Sequence, residues 1–274
     1  MTRTFSFRLI ASGAVLALSA APGYSVIFDQ DDRQYVSPVE GSPYASVGMV
    51  TVGSLISPIW YRSTGFLVDD CHVLTSHVVV GYGPAPIGKR AKFEAGIGTP
   101  QYAVSKGTVV AGGQQERFRT GQEQFERGGG AWILLRLDQC LGTRFGHVVL
   151  KTGPFSPYEF RDLKSAGYPV HRSTDRGLTV DPSCSVYSGT DNLWNNDCAL
   201  VARDAGGPIF RIGSSGGRPQ MEVYAMQAYG FVPREPILLN PSIENRAIPM
   251  SFIAPQIARF LSPHTLTPLE ASAR

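Results

Sequence analysis

Charged side chains are few in this chain: 25 Lys and Arg face 22 Asp and Glu, 17% of 274 residues, and the formal net charge is +3. No basic run is present, so neither the electrostatic footprint of a nucleic-acid binder nor the polybasic patch of a membrane-surface protein is in view. A long apolar run is missing too. The stretch LIASGAVLALSA at 9–20 is a dozen residues, whereas a bilayer span needs about 20. Apolar residues at helical spacing are scarce, which argues against a helical bundle. Cysteine is limited to four residues with no CxxC pair or Cys/His ligand spacing, which speaks against a zinc site. No metal and no cofactor is expected.

What the chain does have is turn chemistry and short β-rich runs. Its 30 glycines and 20 prolines punctuate VGMVTVG, STGFLVD, HVLTSHVVVG, GTVVAGG, AWILLRLD and HVVLKTG, then KSAGYPV, GLTVD, PIFRIG, MEVYAMQAYG and NRAIPM. The fold class is all-β. KTGPFSPYE at 151–159 is rich in turn formers and reads as a linker between two units. In SFIAPQIARFL, Phe252, Ile253, Ile257 and Phe260 approach helical spacing. A closing helix is predicted there, with Ser251 as its cap and Pro255 in its first turn.

Arg3 and Arg8 flank the apolar stretch, and small residues with Pro22 and Gly23 follow it. Residues 1–23 therefore read as a secretory signal peptide, with Ser19, Ala20 or Gly23 as its last position and a retained anchor as the alternative. Export to an extracellular or periplasmic space permits disulfides between Cys71, Cys140, Cys184 and Cys198. Three pairings are arithmetically possible. The simplest is local, Cys71 with Cys140 and Cys184 with Cys198, each stapling one unit.

An ordered set of segments spanning essentially the whole mature chain resembles the trypsin-like serine proteases of the chymotrypsin superfamily, in particular the glutamyl-endopeptidase-like bacterial branch. The set comprises DDR at 31–33, STGFLVDDCHVLTSHVVV at 63–80, AWILLRLD at 131–138, AGYP at 166–169, DCALVARDAGGPIF at 197–210, VYAMQAYG at 223–230 and NRAIPMSF at 245–252. The resemblance implies two six-stranded antiparallel barrels with a C-terminal helix and an active site in the cleft between the barrels. The first barrel falls in 24–150 and the second, with the helix, in 151–274.

Such an enzyme needs a base, an orienting carboxylate and a serine, because a hydroxyl attacks only when an imidazole takes its proton. His77 matches the base, although only Ser76 separates it from Thr75 where the family has two residues. His72 reads as a strand residue, and His147, His171 and His264 match nothing. Ala131 stands where the family places the carboxylate, which deprives His77 of its tautomer-fixing partner. Asp138, at the far end of the same strand, cannot replace it. In RDAGGP, Ala205 stands at the nucleophile position and Arg203 replaces the first glycine, so the oxyanion-hole stretch Arg203, Asp204 and Ala205 is altered at both chemically demanding places. GSSGG at 213–217 offers another serine, but it lies where a hairpin tip belongs. Gln227, Ala228 and Tyr229 fall on a wall of the primary specificity pocket. Gln227 takes the place of a histidine frequent in glutamate-specific relatives, and no glutamate preference is assigned.

Two functional classes fit these residues. One is a secreted pseudoprotease that takes a peptide or protein ligand in the inter-barrel cleft, with no nucleic acid and no membrane span in the mature chain. The other is an active serine endopeptidase whose nucleophile is mutated or lies elsewhere.

Overall fold

Alternation along each strand sorts the first half of the chain into an inner and an outer layer. In the computed structural model, which describes residues 32–53, 61–81, 83–115, 128–152, 160–169, 177–200, 203–230, 245–261 and 266–267, this half closes into a barrel. Its strands are β2 (Val47–Val52), β3 (Tyr61–Leu67), β4 (His72–Ser76), β6 (Arg90–Ala95), β7 (Ala103–Gly112) and β9 (Trp132–Leu137). The hydrogen-bonded order is β2-β3-β4-β9-β7-β6. Val50, Leu67, Val73, Phe93, Ile133 and Leu135 pack in one buried cluster. Their sequence neighbours Phe66, Leu74, Trp132 and Leu134 instead join Phe210, Val223 and Met226 of the second half. One residue of offset therefore decides whether a side chain fills the barrel or the seam between the halves. Short strands β5 (Gly83–Pro84) and β8 (Gln114–Gln115) pair beside the barrel, and one turn of helix, α1 (Gly142–Phe145), follows it.

The second half contributes β10 (Val149–Lys151), β11 (Leu163–Gly167), β12 (Leu178–Cys184), β13 (Val186–Gly189), β14 (Trp194–Asn196), β15 (Pro208–Ser215), β16 (Arg218–Gly230), β17 (Asn245–Pro249) and β18 (Leu266–Thr267). Strand β1 (Gln34–Val36), although early in the chain, also pairs here, antiparallel to β12. The result is a ten-stranded sheet with a main path β1-β12-β11-β15-β16-β17-β14-β13 and with β10 and β18 off it. Among the described residues this path stays open, whereas the first barrel closes. The architecture is the expected double β unit, with a closed barrel and a half-barrel sheet.

Three local expectations are refined. HVLTSHVVVG leaves β structure at Ser76, and His77–Val80 form a 3₁₀ turn whose first free N–H, on Val78, donates to the Ser76 hydroxyl at 3.3 Å. The closing helix, α2 (Met250–Ile257), starts earlier than its sequence cue. Pro249 occupies the cap position without a side-chain hydrogen bond, Ser251 lies inside, and Pro255 is in the body rather than the first turn. GSSGG is the hairpin tip: Gly216 and Gly217, at φ 57° and 77°, turn β15 into β16 as a two-residue loop of the type that needs left-handed backbone. The segment 1–23 and most of the 151–159 linker lie outside the described residues. No helix among the described residues is long and apolar enough to cross a membrane.

Both disulfides are the local ones, Cys71–Cys140 and Cys184–Cys198. The first closes a separation of 69 residues and ties the β3–β4 connection to the end of β9. Removing it as the double variant Cys71→Ser/Cys140→Ser is expected to lower stability by about 2–4 kcal/mol, read from denaturant melts of the variant and parent. An unchanged midpoint would contradict a structural role.

Candidate active site

The residues of the sequence motifs converge where the 203–207 loop crosses from the second half onto β3 and β4. The Thr64 N–H donates to the carbonyls of both Arg203 (2.8 Å) and Ala205 (3.1 Å), and the Thr64 hydroxyl donates to the Arg203 carbonyl at 2.9 Å. The Ser63 hydroxyl donates to the Ala205 carbonyl as well. From the other side, Gly206 N–H donates to Gln227 O at 2.6 Å and Gln227 N–H to Gly207 O at 2.8 Å. The loop is thus sewn to both halves. Gly206 sits at φ 87°, and a Cβ there would come within 2.2 Å of the Thr64 carbonyl, so the approach admits only glycine. Arg203, in contrast, holds φ 80° with a full side chain. The substitution expected to disfavour this backbone has left the left-handed conformation in place, at a local cost of about 1–3 kcal/mol.

Asp204 is buried beneath this loop. Its carboxylate pairs with the Arg33 guanidinium at 3.1 Å, and both side chains are only 7% exposed. Arg33, the last residue of the DDR segment, therefore delivers a cation from the N-terminal arm to the residue preceding Ala205. Upstream, Asp181 accepts the Ala199 N–H at 2.7 Å, and the Asn245 amide donates to the Cys198 carbonyl at 2.6 Å. These contacts, with the Cys184–Cys198 bridge, fix the strand-like run leading toward the loop. Burial pushes the Asp181 carboxyl up, against the opposing pull of its two backbone N–H donors.

His77 opens the 3₁₀ turn after β4 and is 1% exposed. Its backbone N–H donates to the Ala131 carbonyl at 3.0 Å, which places Ala131, itself buried, beside it. Among the described residues no carboxylate hydrogen-bonds to the ring. Its Nδ1 donates instead to the Gly81 carbonyl at 2.8 Å, which corrects the expectation that loss of the carboxylate leaves the tautomer unfixed. A carbonyl can only accept, so it holds the neutral ring with its proton on Nδ1 and leaves Nε2 as the acceptor nitrogen. That is the tautomer a general base needs, yet an uncharged carbonyl stabilises an imidazolium less than a carboxylate does. Nε2 is buried and has no hydrogen-bond partner among the described residues. Burial drives the His77 pKa down, and the hydrogen bonds to the ring only partly oppose this.

The remaining sequence-predicted positions are placed as follows. Asp138 is tied to Arg90 in an exposed ion pair at the opposite end of β9 from Ala131. Gln227 is 1% exposed, so its amide is not an open pocket wall. Its Nε2 donates to Asn196 Oδ1 at 3.3 Å, while its Oε1 has no partner. Ala228 is buried, and its carbonyl accepts the Ser76 hydroxyl at 3.2 Å. Tyr229 lies on β16 opposite Arg246, its side chain outside the described residues, as are His171 and His264. His72 is more than a strand residue: its Nδ1 faces the Asp69 carboxylate at 2.8 Å. Thr64, Arg33 and Gly81 were not singled out from sequence, although STGF and DDR contained two of them.

Truncating Arg33 would take a close cation away from the buried Asp204 charge. The variant Arg33→Ala should lose about 3–5 kcal/mol of stability, whereas replacing both partners by apolar residues should cost far less. Equal losses in a double-mutant comparison would show that the pair is not coupled. His77 adds a pH dependence. Its lowered folded value means that the unfolded chain binds more protons below the ordinary value of about 6.5. Its contribution is therefore complete above that pH and is lost as pH falls through the lowered value. Melts of the parent and His77→Gln at pH 7.5 and 5 should show the smaller acid-side loss in the variant.

No protein-family model matches the sequence, and no curated protein matches it. Solved structures do. A Glu endopeptidase, solved in complex with MPD, superposes with a TM-score of 0.59 over 86% of this chain and 98% of its own, at 16% identity. The protease Anisep from Arthrobacter nicotinovorans gives 0.49 over 79% and 92%, at 17% identity. With a closed six-stranded barrel, a half-barrel sheet and one C-terminal helix arranged as in the Glu endopeptidase, the chain has the chymotrypsin-like serine protease fold.

Proposed function

We propose that this chain is an exported pseudoprotease: a protease-fold protein that binds a peptide or protein ligand at the cleft between its halves without cleaving it. The observation that carries this reading is a methyl group at Ala205, the position the resemblance gives to the nucleophile, together with a buried His77 Nε2 that has no hydrogen-bond partner among the described residues. Acyl transfer requires an oxygen or sulfur nucleophile beside a base, and alanine supplies neither. Ala131 and Arg203 support the reading independently. The first removes the charge that stabilises an imidazolium, and the second puts a bulky side chain where the oxyanion-binding backbone would be glycine. The two disulfides and the apolar N-terminal stretch with its flanking arginines support export.

The fold's survival around a missing nucleophile favours a binding role over mere decay. The loop keeps Asp204, Gly206, Gly207 and Pro208 together with their contacts to Thr64 and Arg33. Within the loop Arg203 and Ala205 stay half-buried, and they are the residues a ligand at the cleft would meet.

The purified mature chain is expected to hydrolyse neither casein nor fluorogenic peptides and to take no label from a fluorophosphonate probe. Serine-dependent labelling would overturn the proposal in favour of an active endopeptidase. Restoring the hydroxyl alone, as Ala205→Ser, is expected to leave turnover more than about tenfold below that of ordinary trypsin-like enzymes, because members of a triad act as a unit. Activity at their level from that single change would refute the roles given to Ala131 and Arg203.

A further inference from the structure

Away from the 203–207 loop, a crevice of about 420 Å³ opens between the outer face of the barrel and the turn that follows α2. Its lining includes His72, Arg136, Arg259 and Phe260. The strand register explains the grouping. His72 on β4 is paired directly with Arg136 on β9, and residues opposite one another in an antiparallel pair project from the same face. That face is the outer one, since Leu74 and Leu134, two residues along each strand, belong to the seam cluster and not to the barrel interior. The Ala258–Phe260 turn brings Arg259 across from them.

The charges in this crevice are unequally satisfied. The Asp69 carboxylate is committed: it accepts the N–H groups of Cys71 (2.8 Å) and His72 (2.7 Å) and faces the His72 ring. Burial pushes its carboxyl up, but these hydrogen bonds together outweigh it and hold the value low, so the carboxylate stays ionised beside the ring. Asp70 is directed toward His147, at 3.6 Å. Arg136 and Arg259 have no carboxylate among the described residues. Arg259 lies over the ring of its neighbour Phe260 at 4.8 Å, and Arg136 makes no ion pair or side-chain hydrogen bond with the described residues. Two guanidinium groups, each a fork of N–H donors, therefore line one concave space whose two carboxylates, Asp69 and Asp70, face other partners. With its Nδ1 occupied by Asp69, the His72 ring keeps Nε2 for a third contact.

We propose that this crevice is an anion-binding site, separate from the inter-half cleft, that takes an oxyanion of the carboxylate or phosphate type between Arg136 and Arg259. The Asp69–His72 pair positions the ring at its floor, and the Phe260 ring supplies an apolar edge. The anion is either a free inorganic ion or an acidic side chain of a polypeptide ligand. The site does not depend on whether the chain cleaves peptides.

The test uses the whole mature chain at constant ionic strength. Inorganic phosphate, sulfate and a capped peptide of consecutive glutamates are titrated in turn, with chloride as the reference, while backbone and His72 ring resonances are followed by NMR. Saturable shifts confined to residues 69–72, 136 and 259–260 are expected, and loss of affinity of about tenfold or more in each of Arg136→Gln and Arg259→Gln. Both arginines are exposed, so these variants should keep the parental melting point. Arg90→Ala, in an ion pair elsewhere, should bind as the parent does. Saturation by phosphate or sulfate identifies a free oxyanion as sufficient, and saturation by the peptide alone identifies a polypeptide carboxylate. Either upholds the site. Shifts no larger than with chloride for all three probes, or binding unchanged in both arginine variants, would overturn it.

Discussion

Thr64 is the point on which the two halves agree. One backbone N–H and one hydroxyl on a barrel strand take up the carbonyls of Arg203 and Ala205, and the same hydroxyl accepts the Tyr168 N–H at 2.9 Å. A loop of five residues between two lobes would otherwise expose carbonyls to a seam with little water, where each unmade hydrogen bond is costly. The close approach of Gly206 to Thr64 and the pairing of Asp204 with Arg33 follow from this docking. So does the left-handed backbone at Arg203: a conformation that arginine disfavours persists because its carbonyl is held twice.

His77 illustrates how a catalytic appearance and a structural one can coincide. The ring has the tautomer suited to a base, fixed by the Gly81 carbonyl, and it is dry. Dryness lowers its affinity for a proton, and neither Ala131 nor any other residue in contact with the ring supplies the charge that would restore it. In an enzyme the same burial would be offset by a carboxylate. Here the histidine follows the end of a strand, and its buried ring is held by the Gly81 carbonyl four residues on.

Much of the fold was legible in the sequence because period-two alternation and turn residues are local signals. AWILLRLD announces a strand, its alternate residues split between barrel and seam, and GSSGG announces a tip. The disulfide pairing was also legible, as each pair of cysteines is the local one. What the sequence concealed is long-range. That β1 joins the second half, that Arg33 reaches Asp204, and that Gly81 O replaces a carboxylate all depend on contacts with no periodicity to mark them. Helix α2 starts two residues before the place that Ser251 as a cap would give it, and Met250 and Ile253 are both buried there. Gln227 appeared to be a pocket wall, and only burial shows its amide turned to Asn196.

The N-terminal arm carries one more implication. β1 and Arg33 lie within the first 36 residues of the chain, yet their partners are β12 and Asp204, the latter 171 positions on. The arm gives the second half a partner strand for β12 and a cation for its buried acid. During synthesis the contacts of the arm must wait until β12 and the 203–207 loop have been made, and completion is then a late ring closure that links an early segment to the second lobe. Cutting the arm after folding would reopen that ring where the two lobes meet, which makes the short segment before the barrel the fastening of the whole molecule.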